Sequence, residues 1–112
     1  MCTKNQLYTI TQTIAKEAKL RLGDKLEAVV LYGSYARGDY NEESDIDIMI
    51  RVVCTKEQLG NYRHILSDIA NLLSIENDVT VSVSVVDTKT YDRYRRHLPY
   101  FENVEWEGIK IA

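Results

Sequence analysis

Apolar residues recur with the period of a helix in two long segments of this chain. From about residue 4 to residue 22 they recur at three- and four-residue steps, with Thr3 as a cap in front and Gly23 behind, which predicts a helix. The same period runs from Thr55, a second possible N-cap, to Asn77. The pattern therefore predicts a long helix on each side of a strand-forming region.

Three short runs have the composition of strands. Leu26 to Tyr32 is an apolar, β-branched run that ends at Gly33, as a buried strand would. Residues 45 to 53 form a second run, and the segment from Val79 to Val85 alternates strictly between apolar and polar residues. This alternation is the clearest strand pattern in the chain.

Shorter elements are predicted at the end of the chain. A helix beginning at Thr88 or Thr90 would end before Pro99, because the residue preceding a proline disfavours the helical conformation. One more turn would follow over residues 101 to 108. The order of elements predicts a single α/β (α+β) domain over residues 1 to 112, with a small mixed sheet of three or four strands and helices packed on one face.

Composition and charge narrow the possible functions. The net charge of -3, from fourteen Lys and Arg and seventeen Asp and Glu, disfavours tight nonspecific binding to nucleic acid. The apolar runs are far shorter than the roughly 18 residues of a membrane span, and no apolar stretch follows a basic N-terminus. We expect a cytoplasmic protein in which Cys2 and Cys54 are reduced.

Two acids in the second predicted strand could bind metal ions. Asp45 and Asp47 alternate with Ile46 and Ile48, so both carboxylates project from one face with Cα atoms roughly 6.5 Å apart. This spacing suits Mg²⁺, which prefers oxygen ligands, and two-ion sites hold their ions about 3.5 to 4 Å apart. Considered alone, the pair could also be exposed charge that prevents edge-to-edge aggregation.

The residues that follow the first predicted strand could bind phosphate. Gly33 allows the backbone to approach a phosphate, and Ser34 adds a hydroxyl group. Arg37 can balance the charge of a triphosphate, and Gly38 permits a turn back towards the acids. Each of these residues has an ordinary alternative role, as a strand end, a helix cap or a solvated charge.

The glycine-containing run and the acid pair together indicate a function more specifically than either does alone. The run Gly33-Ser34-Tyr35-Ala36-Arg37-Gly38, followed by Ser44-Asp45-Ile46-Asp47, resembles the signature of the minimal nucleotidyltransferases of the DNA polymerase β superfamily. The resemblance covers the chain from roughly Leu26 to Val86. It implies a nucleotidyltransferase fold and transfer of AMP from ATP, with Mg²⁺ ions aligning an attacking hydroxyl and the α-phosphate.

The resemblance also assigns roles to residues. It implies that two residues hold the triphosphate of ATP, Gly33 and Ser34, and that two carboxylates bind two Mg²⁺ ions, Asp45 and Asp47. From their own chemistry we add two further nucleotide-binding residues, Arg37 and Gly38.

Related proteins often carry a third acid on a neighbouring strand, where it assists the metal ions or acts as a general base. If the valines between Val79 and Val85 face the core, Asp78 shares the polar face with Thr80, whereas Asp87 does not. We therefore predict Asp78 as the third catalytic acid, although the resemblance places that acid near Thr80. The alternative role of Asp78 is that of a turn residue before the strand.

The resemblance suggests an acceptor as well. We expect that 112 residues leave no room for a second lobe to bind the acceptor. Proteins of this type resemble antitoxins that add AMP to a tyrosine of a helical HEPN ribonuclease. A HEPN protein is therefore the expected partner, and no membrane or nucleic-acid partner is expected. The alternatives are a weakly catalytic antitoxin that masks its toxin, or transfer to a small molecule or RNA.

Aromatic residues are frequent in the last quarter of the chain, namely Tyr91, Tyr94, Tyr100, Phe101 and Trp106. Such residues fit a docking surface, but at these spacings they also fit the core of the domain. The sequence leaves both interpretations open.

Overall fold

A computed structural model of the chain describes residues 2–112. The elements occur in the order α1 (Lys4–Leu22), β1 (Leu26–Tyr32), α2 (Ser34–Arg37), β2 (Ile46–Val52), α3 (Lys56–Asn77), β3 (Val81–Asp87), α4 (Thr88–Tyr94), α5 (Pro99–Glu107) and β4 (Ile109–Lys110). The predicted mixed α/β class is confirmed. The C-terminal α5 is longer than the single turn predicted for this region.

Capping boxes begin both long helices. In α1, the Thr3 side chain accepts the Gln6 N–H and the Gln6 side chain accepts the Thr3 N–H. Thr55 and Gln58 make the same reciprocal pair at the start of α3. Each box satisfies two backbone donors that the first helical turn would otherwise leave unpaired. The predicted starts of both helices are confirmed.

The strands form one mixed sheet in the order β3-β2-β1-β4. β1 is antiparallel to both β2 and β4, whereas β2 is parallel to β3. The parallel pair requires a crossover connection, which α3 provides. In this register Asp47 lies opposite Tyr32 of β1 on one side and Ser82 of β3 on the other. Asp47 thus lies near the start of an interior strand, with a neighbouring strand on each side.

One face of the sheet packs against α1 and α3. Alternate residues of β2 are fully buried on this face, namely Ile46, Ile48 and Ile50. They belong to one core cluster with residues of both long helices, among them Ile10, Ile14, Leu66 and Leu73. Because successive side chains of a strand point to opposite faces, Asp47 and Met49 lie on the other face.

A smaller apolar cluster covers part of this second face. It consists of Met49, Val86, Tyr91, Phe101 and Val104, with Val30, Tyr32 and Tyr100 packed against it. The two long helices lie on one face as predicted, but α4 and α5 add apolar side chains to the opposite face. Their apolar residues are too few and too closely spaced to give a clear helical period in the sequence.

Both cysteines are free thiols, as predicted. Cys2 is only 7% exposed and belongs to the main core. Among residues 2–112, the structure contains no helix whose length and apolar character would allow it to cross a membrane.

Candidate active site

The backbone of Gly33 lies directly against the carboxylate of Asp47. Gly33 has φ 77° and ψ -159°, a conformation that is essentially restricted to glycine. A Cβ atom at this position would overlap the Oδ2 atom of Asp47. The fold therefore brings the Gly-Ser part of the motif into contact with the Asp-x-Asp part.

The segment from Gly33 to Gly38, which we call the glycine loop, forms a single helical turn. The Gly33 carbonyl accepts the Arg37 N–H at 3.0 Å, and the Gly38 N–H donates to the Ser34 carbonyl at 2.9 Å. Gly38 ends the turn in the left-handed conformation, with φ 87° and ψ 5°. The four predicted nucleotide-binding residues thus lie within one turn beside Asp47.

Aromatic packing attaches this turn to the core. Tyr35 is buried in the main core cluster. Its ring stacks on that of Tyr40, with the ring centroids 4.4 Å apart. These contacts fix the side of the glycine loop that faces away from solvent.

The structure places Asp45 and Asp47 close together at the start of β2. Asp45 is exposed immediately before the strand, and Asp47 is half-buried at its second residue. Burial raises the pKa of Asp47, and the negative charge of Asp45 raises it further. Arg37 opposes this shift, while Glu107 adds to it. A cation beside the two carboxylates would relieve their repulsion.

The acid pair fits Mg²⁺ that enters together with a nucleotide. Residues 2–112 contain no group of three or more His, Cys, Asp or Glu side chains arranged to hold a metal ion. Mg²⁺ usually keeps several waters and binds one or two carboxylates together with substrate phosphates, rather than a complete protein cage. A site of this kind therefore needs no more than two carboxylate ligands from the protein, and the acid pair beside the glycine loop can provide them.

Asp78 lies outside strand β3. It ends α3 in the left-handed conformation, with φ 52° and ψ 45°, and its N–H donates to the Ser74 carbonyl. β3 begins only at Val81, so the premise that Asp78 shares a strand face is wrong. A catalytic role for Asp78 stays a prediction.

The parity argument is correct within the strand itself. Ser82 pairs with Asp47 and Ser84 pairs with Met49, whereas the valines at positions 81, 83 and 85 join the main core. Asp87 is the N-cap of α4, and its carboxylate accepts the Thr90 N–H at 3.1 Å. Asp87 therefore has a structural role, away from the acid pair.

Glu107 reaches the glycine loop from the end of α5 and was not identified from the sequence. Its Oε1 accepts the Gly33 N–H at 3.0 Å, and its Oε2 contacts Nη1 of Arg37 at 2.9 Å. Asp39 contacts Nε of Arg37 at 3.1 Å. Hydrogen bonds to Glu107 and Asp39 raise the pKa of the Arg37 guanidinium. To predict from the sequence that Glu107 lies near Gly33, one would have had to know that β4 pairs with β1.

The C-terminal aromatic residues divide between core and surface. Tyr91 and Phe101 are buried, and Tyr100 packs against their cluster. For these three residues the core interpretation is correct. Trp106 is 90% exposed and Tyr94 is 38% exposed. For these two an interface role stays a prediction.

Comparison with known proteins identifies the family. The family model described as nucleotidyltransferase domain matches residues 12–105. The Methanocaldococcus jannaschii protein MJ0141, a candidate protein adenylyltransferase by name, is 39% identical over 106 residues, which cover 95% of this chain and 99% of that protein. The chain belongs to the nucleotidyltransferase family. The resemblance seen in the sequence is thereby confirmed, and the protein is a nucleotidyltransferase.

Solved structures with the same fold include chains of toxin–antitoxin complexes. One is a toxin–antitoxin complex with AMP-PNP, with TM-score 0.56 and 19% identity over 90% of this chain and 72% of that chain. Another is the Shewanella oneidensis complex of a tri-AMPylated HEPN toxin with its MNT antitoxin, with TM-score 0.55 and 18% identity over 95% of this chain and 71% of that chain. At these identities the likeness concerns the fold alone.

Proposed function

We propose that this nucleotidyltransferase transfers AMP from ATP to a tyrosine of a HEPN-type partner protein and thereby acts as an antitoxin. The observation that carries the proposal is the contact between Gly33 and the Asp47 carboxylate, which joins a phosphate-binding loop to an acid pair. The name of the relative MJ0141 and the AMPylated HEPN toxin among the fold neighbours support a protein acceptor. The proposal implies a cytoplasmic protein, in which two free thiols stay reduced.

Four residues of the glycine loop have defined roles in this proposal. Gly33 allows the backbone to approach the triphosphate, and the Ser34 hydroxyl donates to a phosphate oxygen. Arg37 is an exposed residue near the end of the loop, and its guanidinium can bind a phosphate of the incoming nucleotide. Gly38 ends the turn in the left-handed conformation and so allows the chain to turn back towards the acid pair.

The acid pair would act on the α-phosphate. Asp45 and Asp47 would hold two Mg²⁺ ions, which supply positive charge to the phosphates when bound. In the transfer, the acceptor oxygen forms a bond to the α-phosphorus while the bond from that phosphorus to the pyrophosphate oxygen breaks. Asp78 is the predicted base for the proton of the acceptor hydroxyl.

The test is the mass of the acceptor. The nucleotidyltransferase is incubated with Mg²⁺, ATP and a HEPN protein encoded beside it, and the intact mass of that protein is measured. We expect an increase by one or more AMP groups, which is lost in Asp45→Asn and Asp47→Asn. Asp24→Asn, which removes an exposed acid outside the site, is the matched control and should behave as wild type. An unchanged partner mass with the wild-type enzyme would refute the proposal.

A second candidate function is masking of the toxin without catalysis. The exposed Trp106 favours it, because a large exposed aromatic side chain is typical of an interface core. Masking predicts that Asp47→Asn still neutralises the toxin and that Trp106→Ala does not. Turnover of a small molecule or RNA in the absence of a partner protein would instead assign a different acceptor.

A further inference from the structure

The carboxylate of Glu107 binds the glycine loop at two points, the Gly33 N–H and the Arg37 guanidinium. The Glu107 side chain is 19% exposed, whereas the Arg37 side chain is 45% exposed. An ion pair between two exposed side chains contributes little, but a shielded carboxylate that also accepts a backbone N–H forms a stronger contact. Glu107 is therefore the fixed partner of this contact, and the glycine loop is the part that it holds.

The backbone around Glu107 is fixed by close packing on β1. A Cβ atom at Gly108 would overlap the Val104 carbonyl oxygen and the Val30 side chain, so no larger residue fits at this position. The Gly108 N–H donates to the Val104 carbonyl at 3.0 Å, and Ile109 then pairs with β1. Glu107 is thus attached to the strand whose end it contacts.

The Gly33 peptide lies beyond the strand pairing, and its N–H donates to Glu107. The pairing of β1 with β2 ends at Tyr32, so strand pairing does not extend to the Gly33 peptide. Glycine adopts positive and negative φ with similar ease, and in the observed conformation, with φ 77°, the Gly33 backbone lies against Asp47. The hydrogen bond from the Gly33 N–H to Glu107 favours that conformation.

We propose that Glu107 is a positioning residue for nucleotide transfer: it fixes the Gly33 peptide against Asp47 and keeps Arg37 at the edge of the site. This inference rests on the proposed function. Glu107 acts through Gly33 and Arg37, and it is not assigned a contact with substrate. A misplacement of about 1 Å in a reacting group can lower a rate roughly 100-fold, so a loosened loop should slow the transfer step.

Loss of the carboxylate has opposite effects on turnover and on nucleotide binding. A disordered loop aligns the α-phosphate poorly, which lowers kcat. Removal of a negative charge beside the loop reduces repulsion of the triphosphate, so KM for ATP should fall. A variant that is merely partly unfolded would lower the active fraction without lowering KM.

The test compares Glu107→Gln and Glu107→Ala with the control Glu102→Gln, which removes an exposed acid from the same helix. We expect kcat to fall about 100-fold in Glu107→Ala and less in Glu107→Gln, whose amide oxygen can still accept one hydrogen bond. Amide hydrogen exchange at Gly33 in the nucleotide-free protein should become about tenfold faster in Glu107→Ala. The control should match wild type in kcat, in KM for ATP and in the exchange rate of Gly33.

The two readouts separate this inference from the proposed function. Wild-type protein that transfers no AMP would refute the function, whereas the Gly33 exchange rate would still report on Glu107. Gly33 exchange in Glu107→Ala equal to that of wild type would overturn the inference whether or not the enzyme is active. An unchanged kcat in Glu107→Ala, with an active wild-type enzyme, would also overturn it.

Discussion

Replacement of Gly33 by alanine should damage both the glycine loop and the acid pair. The backbone at Gly33 has φ 77° and ψ -159°, and a Cβ atom there would overlap the Asp47 carboxylate. Gly33→Ala must therefore either change the local backbone or push the carboxylate away. Either response separates the glycine loop from the proposed metal ligand.

The expected loss of stability follows from the backbone conformation. A non-glycine residue in this region costs about 1 to 3 kcal/mol. For a domain of this size each kcal/mol lowers the Tm by roughly 4 °C, so Gly33→Ala should lower it by about 4 to 12 °C. Gly23→Ala is the matched control, because Gly23 also has a positive φ, lies outside the site, and has no atom within 4 Å of the added Cβ. Its strain should cost about 1 to 3 kcal/mol.

Two measurements separate the loss of stability from the damage to the site. One is thermal denaturation, and the other is binding of Mn²⁺ together with a non-hydrolysable ATP analogue. Both variants should be less stable than wild type, but at a temperature where both are folded only Gly33→Ala should lose metal–nucleotide binding, by about tenfold or more. Equal binding by Gly33→Ala and Gly23→Ala would contradict the proposed coupling between Gly33 and Asp47.

Three further predictions concern single side chains. Asp47→Asn should raise the Tm slightly in the absence of metal, because burial and the charge of Asp45 disfavour the ionised carboxylate. A large fall in Tm would contradict this prediction. Burial raises the pKa of Tyr91 to about 12, so folded protein holds this proton more tightly and stability should fall as the pH rises from about 10 to 12. Chemical denaturation of Tyr91→Phe should show a flatter pH dependence, and an unchanged one would refute the assignment. Thr55→Ala should cost about 1 kcal/mol in urea denaturation through loss of a capping bond, whereas no loss would show that the cap is dispensable.

The elements predicted correctly are those that local sequence determines. The capping boxes at Thr3 and Thr55 lie within a few residues of the helices that they begin, so the sequence alone indicates those starts. The alternating valines of β3 likewise reveal which face is buried. The Gly33 to Asp47 motif was recognised because its two parts flank one connection between neighbouring strands.

The parts that were missed depend on contacts between distant segments. Glu107 reaches Gly33 only because β4 pairs with β1, and no periodic pattern in the sequence reports that pairing. Asp78 was assigned to a strand face because the valine alternation extends to Val79. In the structure the left-handed conformation of Asp78 ends α3 and delays the start of β3 to Val81.

ATP labelled at the α-phosphorus or at the γ-phosphorus gives the most direct test of nucleotidyl transfer at Asp45 and Asp47. Nucleotidyl transfer predicts that the α-label appears in the proposed HEPN partner while the γ-label leaves with pyrophosphate. The rate of α-label transfer should be the same in Asp24→Asn and at least about 100-fold lower in Asp47→Asn. Incorporation of the γ-label, or equal α-labelling by wild type and Asp47→Asn, would contradict it.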